Sequence, residues 1–159
     1  MTFDPHGRDA MQVGQAGEHL VCFDLLLQGL RVSVSAAGLP YDIIAGDEER
    51  LYRVQVKTTA ALPRDIGKTR LVYRFGMRHA KGARKRYEAD SVDVFAFAFL
   101  DRRLVAYLPI GSCVSRDGST KQTIDWRPRG TTPERDLRGR RWCGRTIRAI
   151  EDHAGFPHG

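Results

Sequence analysis

Apolar and polar positions change period along this chain, and each change marks an element. From Gly14, the spacing of Leu20, Phe23, Leu27 and Leu30 at three- and four-residue steps predicts a helix. Gly29 suits its C-terminal cap. Leu25 and Leu26 widen its apolar side, so a well-buried helix is expected. Val32-Ser33-Val34 alternates as a short strand does, and 36–40 reads as a turn. Two β-type runs follow, around 42–46 and 51–58, separated by a short acidic loop. If 47–50 closes them into a hairpin, Ala45 faces Tyr52 and Gly46 faces Leu51, which sets Asp42 opposite Gln55. Ile43, Val54 and Val56 alternate with Asp42, Gln55 and Lys57, giving the ribbon one apolar side and one chemical side.

Further on, 60–68 reads as a loop with Pro63 and Gly67, and 71–75 as another strand. A second hairpin is expected from 92–100 and 104–110, which flank Asp101-Arg102-Arg103. Small and aromatic residues alternate in its first strand, VDVFAFAFL, a pattern for a sheet packed closely against a helix. The tail is weaker in pattern: an edge strand at 123–126, a short helix at 146–153, and between them an arginine-rich stretch broken by glycine and proline. No repeat is visible. The order of elements predicts an α/β fold with a mixed, largely antiparallel sheet. The expected organisation is a loose lead-in (1–13), a core (14–114) and a basic C-terminal extension (115–159).

Gln55 and Lys57, two apart on a strand, project to one side about 7 Å from each other. Directly paired residues such as Asp42 and Gln55 have Cβ atoms roughly 5 Å apart, near enough for two side-chain oxygens to share one metal ion. A hard-cation site beside a lysine is equipment for cutting a phosphodiester. Each residue also has a plainer reading: a strand-end acid, a sheet-surface amide, a solvated lysine.

Composition narrows the class. The chain has 159 residues, 42% hydrophobic and 28% charged, as for one globular domain. Its longest apolar run, 92–100, contains Asp93 and falls far short of the ~20 residues of a membrane span. The opening MTFDPHGRDAMQVG lacks a basic patch followed by an apolar stretch, so no secretory signal is expected. Cys22, Cys113 and Cys143 are widely separated, in no metal-binding spacing, which suits reduced thiols and a cytoplasmic, nucleoid-associated protein without zinc. Residues 1–60 hold 5 Lys/Arg against 8 Asp/Glu, and the rest hold 21 against 11, so the whole positive excess lies behind the acidic front. A basic surface of this kind attracts a polyanion, with nucleic acid the leading candidate.

Gly17-Glu18 at a helix start, Pro40-Tyr41-Asp42 and Gln55-Val56-Lys57 together resemble the PD-(D/E)XK nuclease superfamily. The likeness is nearer to its group I intron-encoded homing endonuclease branch, which is similar in carrying Gln-x-Lys in place of Glu-x-Lys. Tyr87, Asp90, Asp93 and Leu108-Pro109 are similar to that family's second half, so the likeness spans about 15–110. It implies a restriction-endonuclease-like mixed sheet flanked by helices, Mg²⁺ (with Mn²⁺ able to substitute), double-stranded DNA as substrate and a homo-oligomer. The matching catalytic residues are Glu18, Asp42, Gln55 and Lys57. Asp42, the Gln55 side-chain oxygen and the Val56 carbonyl are expected to hold the metal, with Glu18 acting through water. Lys57 is expected to orient the attacking water or neutralise developing charge. Two departures stand out. Tyr41 separates Pro40 from Asp42, and Gln55 replaces a carboxylate, which lowers the site's negative charge.

Lys81, Arg84, Lys85 and Arg86, followed by Arg138, Arg140, Arg141 and Arg145, are the expected contacts to DNA phosphates. Trp126 and Trp142 suit either stacking on bases or capping a small core. Gly14 and Gly17 suit either close approach of DNA or an ordinary helix start, and Glu18 could equally complement the helix dipole. The reading is a divalent-metal-dependent DNA endonuclease of homing, mobile-element or defence type. A junction-resolving nuclease and a non-catalytic DNA-binding module of the same fold are its alternatives.

Overall fold

A computed structural model describes residues 9–61, 64–65, 68–69, 72–77, 90–130 and 147–158. Helix α1 (Ala10–Leu27) begins four residues ahead of Gly14, where Asp9 caps it by accepting from the Met11 amide at 3.3 Å. Past its end Gly29 takes φ 86°, the left-handed conformation that glycine adopts without penalty. Only Gly17, Val21 and Leu25, spaced four apart, form its buried stripe. Phe23, Leu26 and Leu27 are exposed, so the expected burial of the whole leucine-rich side is corrected. Apolar residues surround this helix, and the sheet covers just one stripe of it.

Strands β1 (Arg31–Val34), β2 (Ile43–Gly46) and β3 (Leu51–Thr59) follow. β2 and β3 pair antiparallel with Ala45 opposite Tyr52 and Gly46 opposite Leu51, the register expected from the loop length. Asp47 Oδ1 closes that loop by accepting from the Glu49 and Arg50 amides, both at 2.9 Å. Gly46 is required there: a Cβ would stand 2.2 Å from the Arg50 carbonyl oxygen.

A small antiparallel ribbon, β4 (Arg64–Asp65) with β5 (Lys68–Thr69), replaces part of the expected 60–68 loop. Next come β6 (Tyr73–Gly76) and the second hairpin, β7 (Val94–Phe99) with β8 (Leu104–Pro109). β9 (Thr123–Arg127) is no edge strand. It lies between β6 and β10 (Ile147–Ala149) in a three-stranded sheet. The short helix expected over 146–153 is instead β10 followed by a 3-10 turn at Ile150–His153, Thr146 lying outside the described residues.

The main sheet runs β1-β2-β3-β7-β8, antiparallel throughout except for the parallel β3–β7 pair. β7 is buried on both faces. Ala96 and Ala98 share a core with Val21 and Leu25 of α1, so small side chains admit the helix as expected. Phe95, Phe97 and Phe99 point the other way, into a core with Tyr73, Phe75, Ile124 and Trp126. Among the described residues the second flank is therefore a sheet, where a helix was expected. Trp126 is fully buried with its ring 5.1 Å from Phe97, which resolves its alternatives in favour of the core. The tail contributes to the first core as well. Phe156 meets Tyr52 and Tyr107 edge-on at 5.1 and 5.4 Å, and its amide donates to Gln28 Oε1 at 2.7 Å. No helix among the described residues is long and apolar enough to cross a membrane.

Candidate active site

β3 changes neighbours halfway along. Its first residues pair with β2 as far as Val54, opposite Ile43, and from Val54 to Thr59 it pairs with β7 on the other side. Where β2 stops, its side of β3 opens into a notch, and Asp42 stands at the lip. Its amide still donates to the Val54 carbonyl at 3.0 Å, but its carboxylate takes over the next rung. Oδ2 accepts from the Val56 amide at 2.8 Å and from Gln55 Nε2. The expected opposition of Asp42 and Gln55 thus exists as a direct hydrogen bond.

Gln55 Nε2 also donates to the Val56 carbonyl at 3.2 Å. One amide nitrogen therefore sits where the Asp42 carboxylate and the Val56 carbonyl converge. Gln55 is itself buried, at 8% exposure, so its amide is held in place by these two oxygens.

α1 supplies the other wall. A cleft of ≈ 280 Å³ is lined by Ala10, Val13, Gly14 and Glu18 from the helix and by Val56, Lys57 and Thr58 from β3. Burial raises the Glu18 carboxyl above its ordinary pKa, the Asp42 charge raises it further, and His19 opposes the shift. Burial also lowers Lys57 from 10.5 to about 8, with Asp42 pulling the other way. The Asp42 charge thus acts on both partly buried groups, the Glu18 carboxyl and the Lys57 amine. His19, beside Glu18, is exposed.

Gly17 explains how Glu18 arrives there. A Cβ at Gly17 would lie 1.8 Å from Thr58 Oγ1, 2.6 Å from its Cγ2 and 2.7 Å from its Cβ. The helix rests directly on the strand, one residue from Lys57. Gly17 therefore serves contact inside the fold, and its alternative as a point of DNA approach is set aside.

Asp93, part of the family-like second half, has its carboxylate engaged elsewhere: Oδ2 accepts from the Arg53 backbone amide at 2.8 Å and from Arg53 Nε at 3.0 Å. Arg53 also donates to the Asp90 carbonyl, so this pair ties the start of β7 to β3. Lys81, Arg84, Lys85, Arg86, Arg138, Arg140, Arg141 and Arg145 lie outside the described residues, as do Tyr87 and Trp142.

The donors around the notch are hard oxygens: the Asp42 carboxylate, the Val56 carbonyl and, across the cleft, Glu18. Turning the Gln55 amide would exchange its nitrogen for a fourth oxygen donor. Among the described residues no group of three or more His, Cys, Asp and Glu gathers, so amide and carbonyl oxygens must complete any metal set. Such a sparse oxygen set fits a small divalent cation that keeps several of its waters.

An acid at a strand end, a Gln-x-Lys on the neighbouring strand and a glutamate on a crossing helix thus gather at one notch of a mixed sheet. The PD-(D/E)XK endonuclease family model matches residues 8–131, and the chain belongs to that family. Among solved structures it is similar to a bacterial homing endonuclease, I-Ssp6803I, with a TM-score of 0.58 and 19% identity over 82% of this chain and 84% of that one. No curated protein matches the chain in sequence.

Proposed function

We propose that this protein is a Mg²⁺-dependent endodeoxyribonuclease that hydrolyses phosphodiester bonds in double-stranded DNA, of the homing, mobile-element or defence type. The observation that carries the proposal is the convergence of Asp42 and Val56 oxygens on the Gln55 amide, with Lys57 and Glu18 lining the same cleft. Asp42, Val56 and the turned Gln55 amide would hold the ion, with Glu18 contributing through water. Magnesium, when bound, supplies Lewis acidity toward the scissile phosphate and a nucleophilic hydroxide from a coordinated water.

The chain's own residues do the rest. With its pKa near 8, Lys57 is mostly ammonium at neutral pH, and Asp42 holds that charge in the notch. From there it neutralises charge gathering on the phosphoryl oxygens. At a partly buried site that electrostatic help is worth more than in bulk water. Glu18, held against β3 by the Gly17 contact, orients water on the helix side. Lys81, Arg84, Lys85, Arg86, Arg138, Arg140, Arg141 and Arg145 are proposed to bind DNA phosphates, which makes affinity fall steeply with salt. Cutting both strands of a duplex calls for two sites, so a homo-oligomer belongs to the proposal.

Plasmid nicking tests it. Wild-type protein with Mg²⁺ should convert supercoiled plasmid to nicked and linear forms, while EDTA or Asp42→Ala should stop conversion. DNA binding without cutting under every condition would reduce the protein to a binding module. Preferential, symmetric incision of four-way junctions would make it a resolvase.

A further inference from the structure

Gly14 is the fifth residue of an 18-residue helix, where glycine is costlier than any ordinary residue because its backbone loses the most freedom on ordering. Among the described residues nothing crowds it. Leaving aside its helix backbone and its neighbours Val13 and Gln15, no heavy atom among the described residues would come within 4 Å of a Cβ there. Gly17, three residues on, is the opposite case, since Thr58 leaves it no room. Two glycines of one helix thus answer to different neighbours, and Gly14 has none of its own among the described residues.

The open space beside Gly14 is the cleft itself. Gly14 lines it together with Glu18, Val56, Lys57 and Thr58, and Ala10 and Val13 extend the same wall toward the helix N-terminus. Residues four apart share a helix face, so Ala10, Gly14 and Glu18 form one track. Gly14 lies about 6 Å along the axis from Glu18, a step comparable to that between neighbouring phosphodiesters in a strand.

We propose that the cut DNA strand runs along this track, with the sugar-phosphate next to the scissile phosphate lying against the bare backbone of Gly14. The proposal rests on the endonuclease reading and adds to it a substrate-contacting position on α1. Val13, apolar and partly buried, faces the deoxyribose. A side chain at position 14 takes the space the strand needs, so helix stability and DNA binding pull this residue in opposite directions.

Gly14→Ala and Gly14→Leu test the proposal in the full chain, with Gln12→Leu on the exposed helix surface as the control for added apolar surface. The readouts are thermal unfolding, affinity for a fluorescent DNA duplex in EDTA, and plasmid nicking in Mg²⁺. Gly14→Ala should raise Tm by ~2–4 °C through helix propensity. It should also weaken duplex binding several-fold, and Gly14→Leu should weaken it by roughly tenfold or more. Gln12→Leu should bind as wild type does. If Gly14→Ala is more stable and both Gly14 variants bind and nick like wild type, the track is wrong while the endonuclease reading stands. If wild type neither binds nor nicks DNA, the reading falls and the track with it. Should Gly14→Leu lose stability, Gly14→Ala decides, since its methyl group meets no atom of the packed sheet or loops among the described residues.

Discussion

Gly17 and Thr58 touch so closely that one added methyl group on the helix would fall 1.8 Å from the threonine hydroxyl. This contact sets how near α1 lies to β3, and so where Glu18 stands relative to Asp42. Rotating the Thr58 side chain would still leave its Cβ 2.7 Å from the added methyl. Gly17→Ala should therefore cost roughly 1–3 kcal/mol of stability through overpacking. Gly17→Ala/Thr58→Ala should recover part of it, because Oγ1 and Cγ2 go while the Cβ at 2.7 Å stays. Urea unfolding of the two variants measures this, and equal stability of Gly17→Ala and wild type would contradict the contact.

Lys57 should show opposite effects on activity and stability. Burial depresses its pKa from 10.5 to about 8, so the unfolded chain holds this proton more tightly than the folded one does. Between those values stability rises with pH, and at neutral pH the charged amine works against folding. Lys57→Met should abolish nicking while leaving Tm unchanged or higher, with a gain on the order of 1–3 kcal/mol at most. A variant that still nicks plasmid in Mg²⁺ removes Lys57 from the mechanism.

Three buried groups should weaken the fold in alkali, against the contribution of Lys57. Burial pushes the Cys113 thiol from 9.0 up to about 12. Burial and the hydrogen bonds to Asp101 and Asp24 raise the Tyr73 and Tyr107 phenols above their ordinary 10.0. All three groups keep protons that the unfolded chain would release, so the unfolded state binds fewer protons above pH ~9 and stability falls as pH rises. In Lys57→Met, where the opposing Lys57 contribution is gone, the urea midpoint should drop between pH 8 and pH 10. Cys113 should also resist iodoacetamide until the protein unfolds.

The C-terminal tail should matter for stability although it lies far from the notch. Phe156 is buried between Tyr52 and Tyr107, and Gln28 holds the strap through the Phe156 amide and, at 3.2 Å, the Ala154 carbonyl. Phe156→Ala should lower stability by about 3–5 kcal/mol, the usual cost of truncating a buried phenylalanine. Gln28→Ala should cost less, about 1–2 kcal/mol for its hydrogen bonds. Thermal unfolding of both variants checks the order of the two effects.

Elements governed by near neighbours could be read directly. The β2–β3 register followed from a short loop, and Asp47 closes it with its own side chain. The opposition of Asp42 and Gln55 came with that register. The faces of α1 could not be read in the same way, because Leu20, Phe23, Leu26 and Leu27 offered several apolar sides and only the sheet chose among them. The same holds for the flank beyond β7. Alternating alanine and phenylalanine announced two faces, but whether a helix or a sheet would cover the phenylalanines depended on β6, 18 positions before β7, and on β9, 24 positions after it.

By itself the chain's order of residues determined the hairpin, its register and the side of β3 that bears Gln55 and Lys57, since strand alternation and turn chemistry act over a few residues. Only the tertiary structure decided that Glu18 shares a cleft with Lys57, that Gly17 is a packing glycine and Gly14 an open one, and that Trp126 belongs to the core. Those outcomes depend on which distant surface closes over each residue, and burial by a remote partner leaves no local pattern.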